Sequence, residues 1–243
     1  MRTLPLLGAV ALGLLLIWSS AAVGSSAFVV SINAPYTGAS TYDHTFLRNL
    51  SGCPSHAHDT IPGSFTPTTG VARVSAEVDT MMCSSTSTTA RFIGFVGVTD
   101  IAFTVPTTGV YNVSASWQLD ARVTVTVDFN GTPTNNAGAS AQLKPILCVL
   151  DLTASTADCK TGHQFGMVNG SRNLTATIAS AFIQISRGVP LVAGHSYVFR
   201  ASISYDLVAQ TSAPAGNGTI AMVALDMHSG AYNAQLKSLK IWS

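Results

Sequence analysis

From Tyr111 to Phe129 the chain alternates without a fault. Odd positions are apolar, from Tyr111, Val113, Ala115 and Trp117 through to Phe129, and even positions are polar, from Asn112, Ser114 and Ser116 through to Asp128. A period of two belongs to a β-strand with one buried face and one wet face. Nineteen extended residues would span about 60 Å, more than a compact domain allows. The segment is therefore predicted to bend or to cross between sheets, with a bulge or corner near Asp120 and a turn at Asn130-Gly131.

A second stretch repeats the design. Tyr197, Phe199, Ala201, Ile203, Tyr205, Leu207 and Ala209 alternate with mostly polar neighbours. The two strands also begin alike: Val105-Pro106, a glycine turn and Tyr111 stand beside Val189-Pro190, a glycine turn and Tyr197. Proline ends one ladder and glycine supplies the turn, so the two are read as corresponding corners in facing sheets. The run from Phe103 to Tyr111, Phe-Thr-Val-Pro-Thr-Thr-Gly-Val-Tyr, resembles edges of extracellular β-sandwich modules, carbohydrate-binding and adhesive ones among them. It covers under a tenth of the chain and carries no residue roles with it.

Further strands are expected at Phe28–Ala34, Val71–Asp79, Arg91–Val98, Ile101–Val105, Leu143–Leu152, Leu174–Ile185, Thr219–Met227 and Leu236–Trp242. No segment holds an apolar stripe at helical spacing for three turns. The chain is thus expected to be all-β, an antiparallel β-sandwich of jelly-roll or Ig-like type with about nine to eleven strands in a single domain over 28–243. The weakly patterned stretch at about 35–70, with four prolines and three of the six histidines, reads as a long loop tied down by Cys53.

Composition changes the picture in one respect. Hydrophobic residues make up 47% and charged residues 9%, against roughly 25% charged in an average soluble domain. The polar surface comes from 27 serines and 27 threonines. Residues 1–27 account for part of the hydrophobicity: Arg2, an apolar run from Leu4 to Trp18, then small residues to Ala27, the pattern of a signal peptide. The mature chain is expected to start near Phe28 and to be secreted, extracellular or at the cell surface, with a membrane partner only if the leader stays uncleaved. Without Arg2 the chain carries 11 basic and 11 acidic residues and no basic stripe, which gives nucleic acid nothing to bind.

Four cysteines in an exported chain imply two disulfides. Proximity favours Cys53 with Cys83 and Cys148 with Cys159. Six of ten asparagines, Asn49, Asn112, Asn130, Asn169, Asn173 and Asn217, start an Asn-x-Ser/Thr sequon, so glycans are expected on some of them in a host with the machinery.

Catalytic signals are thin. Gly194-His195-Ser196-Tyr197-Val198 ends in valine and opens a strand, where a nucleophile elbow needs strand, turn and helix. Asp120 and Asp128 lie on a wet face as solvating residues, and no carboxylate pair stands out. His44, His56, His58 and Asp59 are the candidate metal ligands, because imidazole and carboxylate groups fall close together along one segment. No resident cofactor is expected. Tyr36, Tyr42, Phe46, Phe65, Tyr232 and Trp242 fall outside the clear inward parities and could form a sugar platform or pin loops to the sandwich.

The reading that results is a secreted or cell-surface, non-enzymatic β-sandwich with a structural, adhesive or filament-assembly role. A carbohydrate-binding, lectin-like module bound to surface glycans is the alternative, ahead of a metal-binding protein or hydrolase. Phe28–Ala34 is an apolar-faced strand expected to pair at home, as terminal strands usually do; its donation to a neighbouring copy is the alternative, and the route to self-association if the chain is an assembly subunit.

Overall fold

The computed structural model describes residues 28–48, 54–82, 88–129, 137–212 and 218–243. Thirteen strands run through them: β1 Val29–Ile32, β2 Ala39–Arg48, β3 Ser55–Thr66, β4 Val71–Met81, β5 Thr88–Phe103, β6 Gly109–Asp128, β7 Ala137–Asp151, β8 Thr156–Thr161, β9 Phe165–Gly170, β10 Leu174–Leu191, β11 Tyr197–Thr211, β12 Ile220–Asp226 and β13 Asn233–Trp242. They form an antiparallel β-sandwich. One sheet runs β1-β13-β4-β12-β6-β10 with β3 on β4, the other β2-β5-β11-β7-β8 with β9 on β7. Among the described residues no helix is long and apolar enough to cross a membrane.

The alternating segment becomes β6, and its buried face lines the core from Tyr111 to Val127. One edge of β6 pairs with β10 along nearly its whole length. The other edge is divided: Arg122–Asp128 pair with β12 and Asn112–Asp120 with β13. The segment neither crosses between sheets nor turns a corner at Asp120: β6 stays in one sheet through all 20 residues, and Asp120 is only the place where its partners change. The bulge itself lies in β10, where Ile178 faces Ala121 and Ala181 faces Leu119, leaving Ser180 in a left-handed conformation at φ 51°. The Asp120 carboxylate accepts the Ser180 amide at 2.6 Å, so this wet-face acid helps to hold the bulge.

The two tyrosine corners are equivalent in the fold. Tyr111 lies at the start of β6 in one sheet and its hydroxyl donates to the Thr107 carbonyl at 2.8 Å. Tyr197 opens β11 in the other sheet, and its hydroxyl accepts the Val192 amide at 2.6 Å. Each ring is buried while its polar tip closes the turn behind it. The turns also touch, since the Ala193 amide donates to Thr108 Oγ1 at 3.0 Å.

The expected long loop at about 35–70 is instead β2 and β3. On β3 the inward positions include Ser55, Asp59 and Gly63, so the apolar alternation that marks a strand is missing although the pairing with β4 is present. Phe28–Ala34 contains β1, which pairs with its own chain, Val29 against Trp242 through Ile32 against Leu239. The terminal strand thus completes its own sheet, the pairing expected of it ahead of donation to a neighbour. Arg91–Val98 and Ile101–Val105 are joined in β5, with a register shift against β11 between Thr99 and Ile101.

Parity decides the cost of a charge on β6. Val125 is fully buried between Leu174 and Val223, while Thr126 points to the outer face. Val125→Asp is expected to lower stability by roughly 3 kcal/mol or more, because it buries an unpaired carboxylate, and Thr126→Asp by about 0.5 kcal/mol or less. Thermal melts of the two variants check this.

Candidate functional site

The richest polar cluster lies where β2 and β3 meet at one open side of the sandwich. Tyr42 and His44 point inward from β2, His44 lying across from Gly94 on β5 and Gly94 across from Tyr205 on β11. A Cβ on Gly94 would come within 2.3 Å of the Tyr205 hydroxyl, and one on Gly63 within 2.1 Å of the Tyr42 ring. Glycine at these two positions makes room for the rings. Both tyrosines and His44 then converge on Asp59 of β3.

The Tyr42 hydroxyl donates to Asp59 Oδ2, and His44 Nδ1 lies 3.4 Å from the same oxygen. The Asp59 side chain is 9% exposed and that of His44 47%. Burial raises the Asp59 pKa above its ordinary value, and the facing Tyr205 hydroxyl opposes that rise. Yet Asp59 Oδ1 and the Tyr205 hydroxyl are both buried without a hydrogen bond of ordinary geometry. Tyr205 itself is pushed well above the usual phenol range by burial first, then by the Asp59 charge. The cluster holds a costly carboxylate between two sheets, and its chemistry is that of a polar tie.

The four candidate metal ligands do not gather round one point. His56, His58 and Asp59 alternate along β3, so the two histidines face outward and Asp59 faces inward. His56 Nδ1 sits 3.0 Å from Asp79 Oδ1 on the neighbouring strand, while His44 alone joins Asp59. Among the described residues no three His, Cys, Asp or Glu side chains form a metal-sized group.

A third acid–histidine pair stands at the corner end. His195 Nδ1 lies 2.7 Å from Asp151 Oδ2, and Asp151 Oδ1 accepts the amides of Thr153 and Ala154 at 2.9 Å each. Burial pushes the Asp151 pKa up, but the His195 hydrogen bond, those amides and the His195 charge outweigh it, and the net shift is down. Ser196 offers its amide to Thr153 Oγ1 at 3.1 Å, the role of a turn residue.

The aromatic candidates pin the chain rather than present a platform. Tyr36 and Phe65 are buried, and the Tyr36 hydroxyl, held up to about 12 by burial, donates to the Leu236 carbonyl at 3.0 Å. Tyr42 is tied to Asp59, Phe46 packs on the core, and Tyr232 lies under the Arg122 guanidinium at 5.4 Å. Trp242 is half-buried on β13 beside β1. Among the described residues the exposed large aromatic is Phe182 on β10, 66% exposed; its parity in a strand of small and polar residues was the signal for it.

The other open side of the sandwich, between β8 and β10, holds a groove of about 420 Å³. Lys160, Thr161 and His163 line it from one sheet, and Gln184, Ile185 and Ser186 from the other. Lys160 Nζ reaches the Ser186 carbonyl at 3.5 Å, and Arg187 pairs with Asp158 across the same seam.

Of the covalent sites, the Cys148–Cys159 disulfide is present and joins directly opposed residues of β7 and β8. Cys53 and Cys83 lie outside the described residues, as do Asn49, Asn130 and Asn217. Asn112 is exposed on the outer face of β6. Asn173, just before β10, accepts the Val127 amide on Oδ1 at 2.8 Å, which leaves Nδ2 for a glycan. Asn169 lies on β9.

Because folding raises the Asp59 pKa, its ionisation works against the folded state. Its favourable contribution is complete below the unfolded-state pKa of about 3.9 and is lost as pH rises through the higher folded value. Asp59→Asn, which keeps an acceptor for Tyr42, should therefore gain in melting temperature on the parent protein as pH rises from about 3 to 7. A difference that is constant across that range would show that the buried charge does not matter.

No family model matches the chain, and no curated protein matches it. Among solved structures it is similar to a carbohydrate-binding module of Cellvibrio mixtus lichenase 5A in complex with cellotriose, at 13% identity over 75% of this chain and 96% of that one, with a TM-score of 0.22. It is also similar to the CBM22-1–GH10 modules of Clostridium thermocellum xylanase 10B with xylohexaose, at 12% identity over 74% of this chain and 26% of that one, TM-score 0.17. A third similarity is to the infectious bursal disease virus Gt strain, at 10% identity over 90% of this chain and 40% of that one, TM-score 0.19. Likenesses of this size carry neither a family nor an activity to the chain.

Proposed function

We propose that the chain is a non-enzymatic β-sandwich of the cell exterior whose work is association, as a structural, adhesive or filament-forming subunit. The observation that carries this reading is the edge strand β10. Among the described residues β10 pairs with β6 alone, so its second row of backbone groups faces outward along an 18-residue strand. Edge strands are ordinarily blunted by charge, proline or short length, because an open row of N–H and C=O groups is a template for another strand.

From Leu174 to Ile183 β10 has no charged residue and no proline. Phe182 and Leu174 are exposed, and Ile178 and Ile183 are only partly covered by the core. The bulge at Ser180 is the one blunting device on this stretch. A second copy of the chain fits such an edge: an uncharged strand laid antiparallel on itself sets no like charges opposite each other, and the backbone bonds close by symmetry. Two of the acid–histidine contacts support the same reading, since Asp151 holds a turn and Asp59 ties two sheets.

Sedimentation of the chain from Phe28 onward, over a range of concentrations, tests this. The protein is expected to self-associate, and Phe182→Lys to weaken that association by about tenfold or more, given the cost of a charge on an apolar contact. A protein that stays monomeric at its highest soluble concentration would overturn the reading.

A further inference from the structure

We propose that the groove between β8 and β10 binds an acidic saccharide, a sugar unit that carries a carboxylate. The inference stands apart from association through β10, because it uses the segment around Ser186, where the Lys160 side chain already engages the strand edge.

Charge is the first ground. Lys160 and His163 line the groove, and the carboxylate nearest them in the chain, Asp158, is paired with Arg187. The local excess is positive on a chain whose net charge is only +1. An ammonium has three donors, and the described contact of Lys160 uses one, on the Ser186 carbonyl at a long 3.5 Å. A carboxylate placed here would meet a cation that lacks a strong partner.

Hydroxyl chemistry is the second. Thr161, Ser186 and the amide of Gln184 lie on both walls, and each can donate or accept, which suits a ligand whose hydroxyl groups do both. Ile185 and the flat backbone at Gly162 complete the lining between these polar groups. The volume of about 420 Å³ is many times the roughly 30 Å³ of one water, so an inorganic anion would fill little of it. The groove is open to solvent, as a unit within a polymer requires.

Rigidity is the third. Lys160 follows Cys159, whose disulfide to Cys148 fixes β8 on β7. The Gly162 amide donates to the Pro145 carbonyl at 2.8 Å, and a Cβ on Gly162 would come within 2.6 Å of the Pro145 ring. Glycine here lets the chain lie flat on β7, and the donors are set before any ligand arrives.

Calorimetric titration of the disulfide-intact protein with oligogalacturonate, oligoglucuronate and sialyl oligosaccharides, beside neutral galactose oligomers, tests the proposal. At least one acidic oligomer is expected to bind, more weakly as salt is added, with the neutral oligomers about tenfold weaker or worse, as the loss of a charged hydrogen bond implies. Lys160→Glu should abolish binding with an unchanged melting temperature, and Lys160→Arg should retain it. Equal binding of neutral and acidic oligomers, no binding of any acidic one, or full binding by Lys160→Glu would overturn the proposal. Competition by inorganic sulfate as strong as by the free oligomer would show a simple anion site and overturn the saccharide assignment.

Discussion

Everything in this sandwich hangs on the burial of the odd-numbered face of β6, joined on the other face by Ser114 and Ser116, which are also buried. Its inward residues, with Trp117 at their centre, are fully buried, and burying one large apolar side chain is worth about 1.5–3 kcal/mol. Because the strand is long, it serves three neighbours, β10 on one edge and β12 and β13 sharing the other. The division at Asp120 lets one sheet hold two ladders that diverge. The Arg122–Asp226 pair, 2.9 Å apart, ties β6 to β12 next to that division. Burial pushes the Asp226 pKa up, but the Ser229 and His228 amides, the Ser229 hydroxyl and the Arg122 charge more than reverse it.

Two open sides follow from laying one sheet on another, and the chain closes them differently. At the β2–β3 side Tyr42 and His44 meet one buried carboxylate through its Oδ2, an arrangement that holds an edge strand in register because only there does that oxygen find partners. At the β8–β10 side the tie is an ion pair and a disulfide-braced strand, and a groove remains between them. The first side is filled with polar groups; the second keeps polar groups in reach of solvent. Above the second side, β10 continues as an uncharged edge. Association and ligand binding are thereby assigned to neighbouring but different lengths of one strand.

The sequence showed what alternation can show. β6, β11 and the two tyrosine corners were legible, because parity and proline–glycine turns report directly on the backbone; the break expected near Asp120 was not there, because a single sheet accommodates the whole strand by changing its partners. β2 and β3 were hidden because Ser55, Asp59 and Gly63 take inward positions that apolar residues usually hold. β8 is exposed along its whole length and so leaves no periodic trace. The metal reading counted residues close in sequence, but strand parity sends His58 and Asp59 to opposite faces. Conversely, Tyr205 lies far along the chain from Asp59, and Lys160 from Gln184, with no motif joining either pair; only the sheet order brings them together.

The central functional claim is that the outer edge of β10 is free in the single chain and filled in the assembly. Residue-resolved hydrogen exchange, followed as a function of protein concentration, measures this directly. The account predicts that in dilute protein the amides from Leu174 to Ile183 that are turned away from β6, alternate ones on either side of the bulge at Ser180, exchange quickly, and that these same amides become protected as concentration rises. Slow exchange of all β10 amides in the dilute monomer, or fast exchange of the outward ones at every concentration, would contradict it.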